Sequence, residues 1–332
     1  MKAIRTHEKG GPETLTLDEI DAPQPGKGEV LVKVKACAIN YPDTLMIRDL
    51  YQFKPERPYS PGGEIAGVIE EVGEGVEGFA VGDAVMAGIG NGGLVEKAVV
   101  PADRMFKVPD GVAPKKAASL LMTYGTTIHG LKDRGHIKAG DTVLVLGAAG
   151  GVGLSAVELA KAFGARVVAA VSSEAKGEVA RKAGADEVVI YPRGEMDKDA
   201  SKELSKAFKA ACGPEGANIV YDIVGGQYSE PALRAIAWEG RFLVVGFPAG
   251  IAKMPLNLTL LKSCDICGVF WGAFTAREPV KFRQQVDELF GLMKAGKIDP
   301  LVSETFPLER AGDAIAKLEN REAVGKLVVT MD

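Results

Sequence analysis

The chain has 332 residues, of which 46% are apolar and 25% charged, and a formal net charge of −4. That length suggests two domains with ample material for their cores, and the lack of a basic field argues against nucleic acid as a partner. No apolar run reaches the roughly 18 residues needed to cross a membrane, the start Met1-Lys2-Ala3-Ile4 lacks the apolar core of a signal peptide, and a cytoplasmic location is the expectation.

The first 123 residues read as β-rich. Glu29 to Lys35 alternates polar and apolar residues, the period of a strand with one buried face. Ile65 to Val72 and Leu94 to Val100 are further strands, separated by glycine-rich turns. From about residue 114 the pattern turns helical, with Pro114 to Leu121 opening one helix and Thr126 to Arg134 forming another. Thr142 to Leu146 is a continuous apolar run, as expected of a parallel strand covered on both faces. A helix follows with Val152, Ala156, Leu159, Ala160 and Phe163 on one face, and Gly164 stops it. Strands and helices then alternate: strand Ala165–Val171, helix Glu174–Ala183, strand Glu187–Tyr191, helix Asp199–Ala211, strand Ala217–Asp222, helix Ser229–Ala237, strand Gly240–Gly246. Such alternation argues a doubly wound parallel sheet. The end of the chain reads as helix Pro279–Ala295, strand Leu301–Pro307, helix Glu309–Leu318 and strand Lys326–Thr330, pieces too small to stand alone.

The four cysteines are too few and too scattered for a disulfide framework. Cys264 and Cys267 form a lone C-x-x-C without a second pair, which reads as two small residues packed in or near a strand. His7, His129 and His136 are scattered and read as surface or satisfied residues rather than metal ligands.

The segment Gly147-Ala148-Ala149-Gly150-Gly151-Val152-Gly153 directly follows an apolar strand and directly opens an amphipathic helix. Glycines at such a place make the tight turn, let the backbone approach a pyrophosphate, and let helix and strand pack closely. The helix N-terminus then offers free N–H groups and partial positive charge to the anion. Gly150, Gly151 and Val152 are therefore the expected dinucleotide contacts. NAD sites place an acid at the tip of the second strand to accept from the ribose 2′-OH. That tip is Ser172-Ser173, with Glu174 just beyond it and Lys176 following. Hydroxyls plus a lysine suit a 2′-phosphate, which demands charge-assisted donors, so NADPH is the expected cofactor. The competing reading makes Lys176 a solvated helix residue.

The chain resembles the zinc-independent quinone oxidoreductases of the medium-chain dehydrogenase/reductase superfamily over essentially its whole length. The resemblance rests on the glycine loop, on Ile39-Asn40-Tyr41-Pro42-Asp43, on Pro61-Gly62-Gly63-Glu64-Ile65-Ala66-Gly67, on Val81-Gly82-Asp83-Ala84-Val85, and on Tyr221-Asp222-Ile223-Val224-Gly225-Gly226. It implies an α/β fold in which a Rossmann-type doubly wound parallel sheet, residues 124–274, joins a chaperonin-10-like β-barrel catalytic domain, residues 1–123 and 275–332. The family's zinc-dependent relatives carry Cys and His where this chain resembles them with Asn40 and Gly63, and the structural loop of four cysteines is missing. No metal is therefore expected, since catalytic zinc needs about three N, S or O ligands.

The implied chemistry is hydride transfer from NADPH to an electron-poor quinone or enone, with the negative charge that develops on oxygen met by hydrogen bonds or a proton. By resemblance to enoyl reductases, Tyr51 is the candidate proton donor, or else an aromatic wall. Asn40 and Thr126 match positions at the nicotinamide end, with Asn40 also a catalytic candidate or a turn cap. Tyr191 matches a position near the adenosine ribose. Gly246, Phe247, Val269, Phe270 and Trp271 match loops that pass the cofactor, and Lys326 matches a basic residue near the C-terminus. Phe270 and Trp271 read equally as core or dimer contacts. A 2-enoyl thioester reductase is the close alternative, for which Lys253 and Arg277 could meet an anionic substrate, although surface residues are the plainer reading. A non-enzymatic NADPH-binding protein like the lens crystallins is the third. A homodimer is expected by resemblance, with Ser263 to Phe270 as its edge strand.

Overall fold

The structure, a computed structural model, describes residues 1–331. The chain forms two compact units, Met1–Met122 with the segment from Pro300 onward, and Thr123–Asp299. Residues 275–299 therefore pack with the second unit, whereas the sequence reading assigned them to the first. The reason is the helix Pro279–Lys294, which buries Gln285, Val286 and Leu289. Gln285 donates to Asp133 at 2.8 Å and Lys281 pairs with the same carboxylate at 2.7 Å, so side-chain contacts within the second unit hold the helix.

The first unit is a β-structure built around one long strand, Glu29–Ile39. It pairs antiparallel with Glu64–Val72, Lys97–Pro101 and Lys326–Thr330. The C-terminal strand thus returns to the N-terminal sheet, and Val302–Pro307 extends that sheet in parallel with it. Register shifts near Leu31 and Val34 mark irregularities that let one strand serve different neighbours along its length. Its core gathers Val30, Val32, Val34, Ile65, Ile69, Leu327 and Val329.

Six parallel strands carry the second unit: β1 Thr142–Leu146, β2 Arg166–Val171, β3 Glu187–Ile190, β4 Ala217–Asp222, β5 Ile236–Val244 and β6 Asp265–Gly268. Their order in the sheet is β3-β2-β1-β4-β5-β6. That order reverses direction between β1 and β4, the switch point at which doubly wound sheets bind nucleotides. Val143 and Val145 are as fully buried as Leu144 and Leu146, because helices cover both faces. Among the described residues no helix is long and apolar enough to cross a membrane.

β5 begins earlier than its composition suggests. The helix starting at Ser229 stops at Leu233, and Ile236 already pairs with Ala217. The ladder then slips before Arg241, with Glu239 in the left-handed region at φ 56°.

Candidate functional site

The helix α1, Gly151–Ala162, starts directly after the glycine turn, with Gly150 as its extended N-cap. The N–H of Leu154 donates to the Gly150 carbonyl at 2.8 Å and closes the first turn. The N–H groups of Gly151, Val152 and Gly153 lie ahead of that bond, where a helix offers donors to an anion. A Cβ at Gly153 would stand 2.2 Å from the Gly147 carbonyl oxygen, so only glycine allows this close packing of helix on turn. The cradle fits a pyrophosphate on the chain's own geometry.

At the tip of β2, Ser173 caps the helix α2, Glu174–Lys182, accepting from the Lys176 N–H at 3.4 Å. Glu174, the first acid after the strand, is engaged by Arg181 at 2.6 Å, and Arg181 also contacts Glu178. Beyond β3, Tyr191 continues the ladder by donating its N–H to the Val171 carbonyl at 2.9 Å. This places the following residues beside Ser172, and Arg193 Nη2 donates to Ser172 Oγ at 3.3 Å. Lys176 is partly buried; burial pushes its ammonium pKa down, and the nearby Arg193 charge pushes it the same way. The Tyr191 ring is buried against Tyr228, with centroids 4.8 Å apart.

The other loops at the carboxyl ends of the strands are equally ordered. Asp222, at the end of β4, accepts from the N–H groups of Val224 and Gly225 at 2.8 Å each and from Ser229 Oγ at 2.5 Å. After β5, Gly246 donates to the Asp222 carbonyl at 3.3 Å, and Phe247 is half exposed. After β6, Val269 is buried and donates to the Val244 carbonyl, while Phe270 is exposed. The Trp271 indole lies so close to Gly125 that a Cβ there would be 2.9 Å from its Nε1. Thr126, on the helix Leu121–Ile128, is buried. Its neighbour Thr127 shares a hydroxyl network with Ser155 of α1 at 2.7 Å and Tyr221 of β4 at 3.0 Å, tying that helix to the nucleotide-loop helix.

The first unit holds a buried polar cluster. Asp43 Oδ2 accepts from the Asn40 N–H at 2.7 Å and Oδ1 from the Gly62 N–H at 3.1 Å. Asn40 Nδ2 donates to Glu64 Oε2 at 3.1 Å and to the Ala38 carbonyl at 3.2 Å, while its Oδ1 accepts from Lys326 Nζ at 2.6 Å. Lys326 also donates to the Ile39 carbonyl and lies 3.9 Å from Glu64. Burial pushes Glu64 up and Lys326 down, each toward neutrality, and their mutual attraction opposes both shifts. Burial likewise raises Asp43 to about 6, against its two N–H donors and Lys326. Tyr51 is partly buried, and its phenol is raised by burial and by Asp43, which keeps it protonated as a donor. A Cβ at Gly63 would stand 2.8 Å from the Gly90 carbonyl oxygen, so a larger side chain there requires the backbone to shift.

Two family models match the chain: zinc-binding dehydrogenase over residues 151–290 and alcohol dehydrogenase GroES-like domain over residues 26–110. A quinone oxidoreductase-like protein 2 homolog from Nematostella vectensis is 36% identical over 332 residues, covering 99% of this chain and 88% of that protein. An Escherichia coli quinone oxidoreductase solved with NADPH is 29% identical with a TM-score of 0.90, and a mycobacterial protein solved with NADPH is 34% identical with a TM-score of 0.91; both cover 100% of each chain. The chain belongs to the quinone oxidoreductase family of the medium-chain dehydrogenase/reductase superfamily.

Within that family frame the donor chemistry around Asn40 is an amide, an ammonium and two carboxylates bonded to one another. Among the described residues no group of three or more His, Cys, Asp or Glu side chains is placed to hold a metal ion. The glycine loop, Ser172, Ser173, Lys176 and Tyr191 line one end of the sheet, as do the loops bearing Gly246 and Val269. Lys326 is instead buried against Asn40 and Ile39, so its ammonium is committed within the first unit. Sequence reading missed Glu64 and Asp43 as partners of Asn40, and Arg193 beside Ser172. Glu64 stood inside a quoted motif, whereas Arg193 could be found only through the pairing of β3 with β2.

Proposed function

We propose that this chain is an NADPH-dependent, zinc-independent reductase of quinones and electron-poor enones. The observation that carries the cofactor assignment is the β2 tip. The first acid after it, Glu174, is held by Arg181, while the Ser172 hydroxyl and the Lys176 ammonium would flank a ribose 2′-substituent bound there. The relatives solved with NADPH support the same reading. Gly150, Gly151 and Val152 would hold the pyrophosphate, Ser172, Ser173 and Lys176 the 2′-phosphate, and Tyr191 the adenosine ribose. Thr126, Gly246, Phe247, Val269, Phe270 and Trp271 are proposed neighbours of the remaining cofactor.

NADPH supplies a hydride when bound. Tyr51, kept protonated by burial, would give a proton to the acceptor oxygen as charge develops there. Asn40, with both amide ends committed to Lys326 and Glu64, serves as a fixed element near that chemistry rather than as a titrating group. NADPH oxidation with 1,4-benzoquinone, 9,10-phenanthrenequinone and crotonyl-CoA in parallel tests the substrate class. Turnover with the quinones is expected; turnover with the thioester alone would make the chain an enoyl thioester reductase, and none with any acceptor a nucleotide-binding protein without this activity.

We also propose a homodimer joined at β6, the edge strand of its sheet. Ile266 on that strand and Leu256, Leu260 and Leu261 on the preceding segment are exposed apolar residues, an arrangement a second edge would cover.

A further inference from the structure

We infer that Arg193 is the principal residue by which this chain selects a 2′-phosphorylated dinucleotide, acting with Ser172 and Lys176 as one two-cation clamp. The inference rests on the NADPH reading above and goes past it, to a residue outside the glycine loop and outside the β2–α2 turn.

Arg193 belongs to the loop after β3. The parallel pairing of Ile190 with Val171, continued by the Tyr191 N–H, sets that loop beside the tip of β2. There the guanidinium, itself exposed, bonds a serine hydroxyl at 3.3 Å. Arg48, Arg181, Arg234 and Arg310 each bond a carboxylate at 2.6 Å. Arg193 forms no ion pair among the described residues, and its charge adds to burial in lowering the Lys176 ammonium pKa. Two like charges held together at a surface cost free energy unless an anion joins them. A phosphate dianion is the anion for which a planar guanidinium, an ammonium and a hydroxyl make a matched donor set. Glu174, the first acid after β2 and the one that would favour an unphosphorylated ribose there, is engaged by Arg181. Arg193 is exposed and its side-chain bond is to the Ser172 hydroxyl, so its replacement tests recognition rather than folding.

The test is calorimetric binding of NADP⁺ and NAD⁺ to wild type, Arg193→Ala, Arg193→Lys and Lys176→Ala. Wild type is expected to bind NADP⁺ at least about tenfold more tightly than NAD⁺. Arg193→Ala should weaken NADP⁺ about tenfold, leave NAD⁺ within about twofold, and flatten the salt dependence of NADP⁺ binding, because one phosphate contact is gone. Arg193→Lys should restore part of the loss, since the charge returns without the planar fork. If Arg193→Ala binds NADP⁺ as wild type does while Lys176→Ala does not, the clamp is Lys176 alone and the inference is wrong with the NADPH reading intact. If wild type itself does not distinguish NADP⁺ from NAD⁺, the NADPH reading fails and this inference falls with it.

Discussion

Asp43 is a single carboxyl on which burial, backbone donors and a buried cation act together. Its native pKa of about 6 exceeds the ordinary 3.8, so the folded chain keeps a proton that the unfolded chain has released. The resulting stability is full below pH 3.8 and is lost as pH rises through about 6. Asp43→Asn, neutral throughout, should therefore gain on wild type by about 3 kcal/mol between pH 4 and pH 7, read from urea unfolding across that range; a difference independent of pH would contradict the assignment. Lys326 is the opposite case, a buried cation facing Glu64 and Asp43. Lys326→Met should cost about 3–5 kcal/mol in the same experiment, because two carboxyls lose their only countercharge named in the cluster. Tyr51→Phe should lower kcat by about a hundredfold if its phenol donates the proton; an unchanged kcat would leave Tyr51 an aromatic wall. The partnership with Lys326 is not visible in the linear sequence around Asn40, since Lys326 comes from 286 residues away in the chain. The motif residues themselves were legible, but not which atoms they spend on each other.

The glycine turn was the most legible element, because its chemistry is local. A strand, three spaced glycines and an amphipathic helix leave little freedom in how they fold, and β1, β4 and the strand Lys326–Thr330 have the bounds their apolar runs announced. Gly153→Val should abolish measurable NADPH binding, since its side chain would occupy the space of the Gly147 carbonyl; retained affinity in a folded variant would show that the turn is not the cradle. β5 was read less well. Ala235 to Trp238 has the composition of a helix continuing from Ser229, yet pairing of Ile236 with Ala217 draws it into the sheet. Sheet pairing of that kind is a tertiary term that local propensity does not contain. Arg193 escaped notice for a related reason: its place beside Ser172 is set by strand order.

At the level of the whole molecule, the α/β class followed from alternation of strands and helices, and the return of the C-terminal strand to the N-terminal sheet from the small size of the closing pieces and from the family resemblance. The ownership of residues 275–299 did not, because it depends on which unit presents partners such as Asp133 to the helix Pro279–Lys294. Light scattering should give twice the chain mass of 34.9 kDa, and Ile266→Lys should shift it toward the monomer; a monomeric wild type would contradict the edge-strand interface. The central claim concerns the nucleotide, and one steady-state measurement tests it most directly: kcat/KM for NADPH and for NADH with 1,4-benzoquinone held saturating. The account predicts a preference for NADPH of at least about tenfold, the worth of charge-assisted contacts to a phosphate. A tenfold or greater preference for NADH would contradict it.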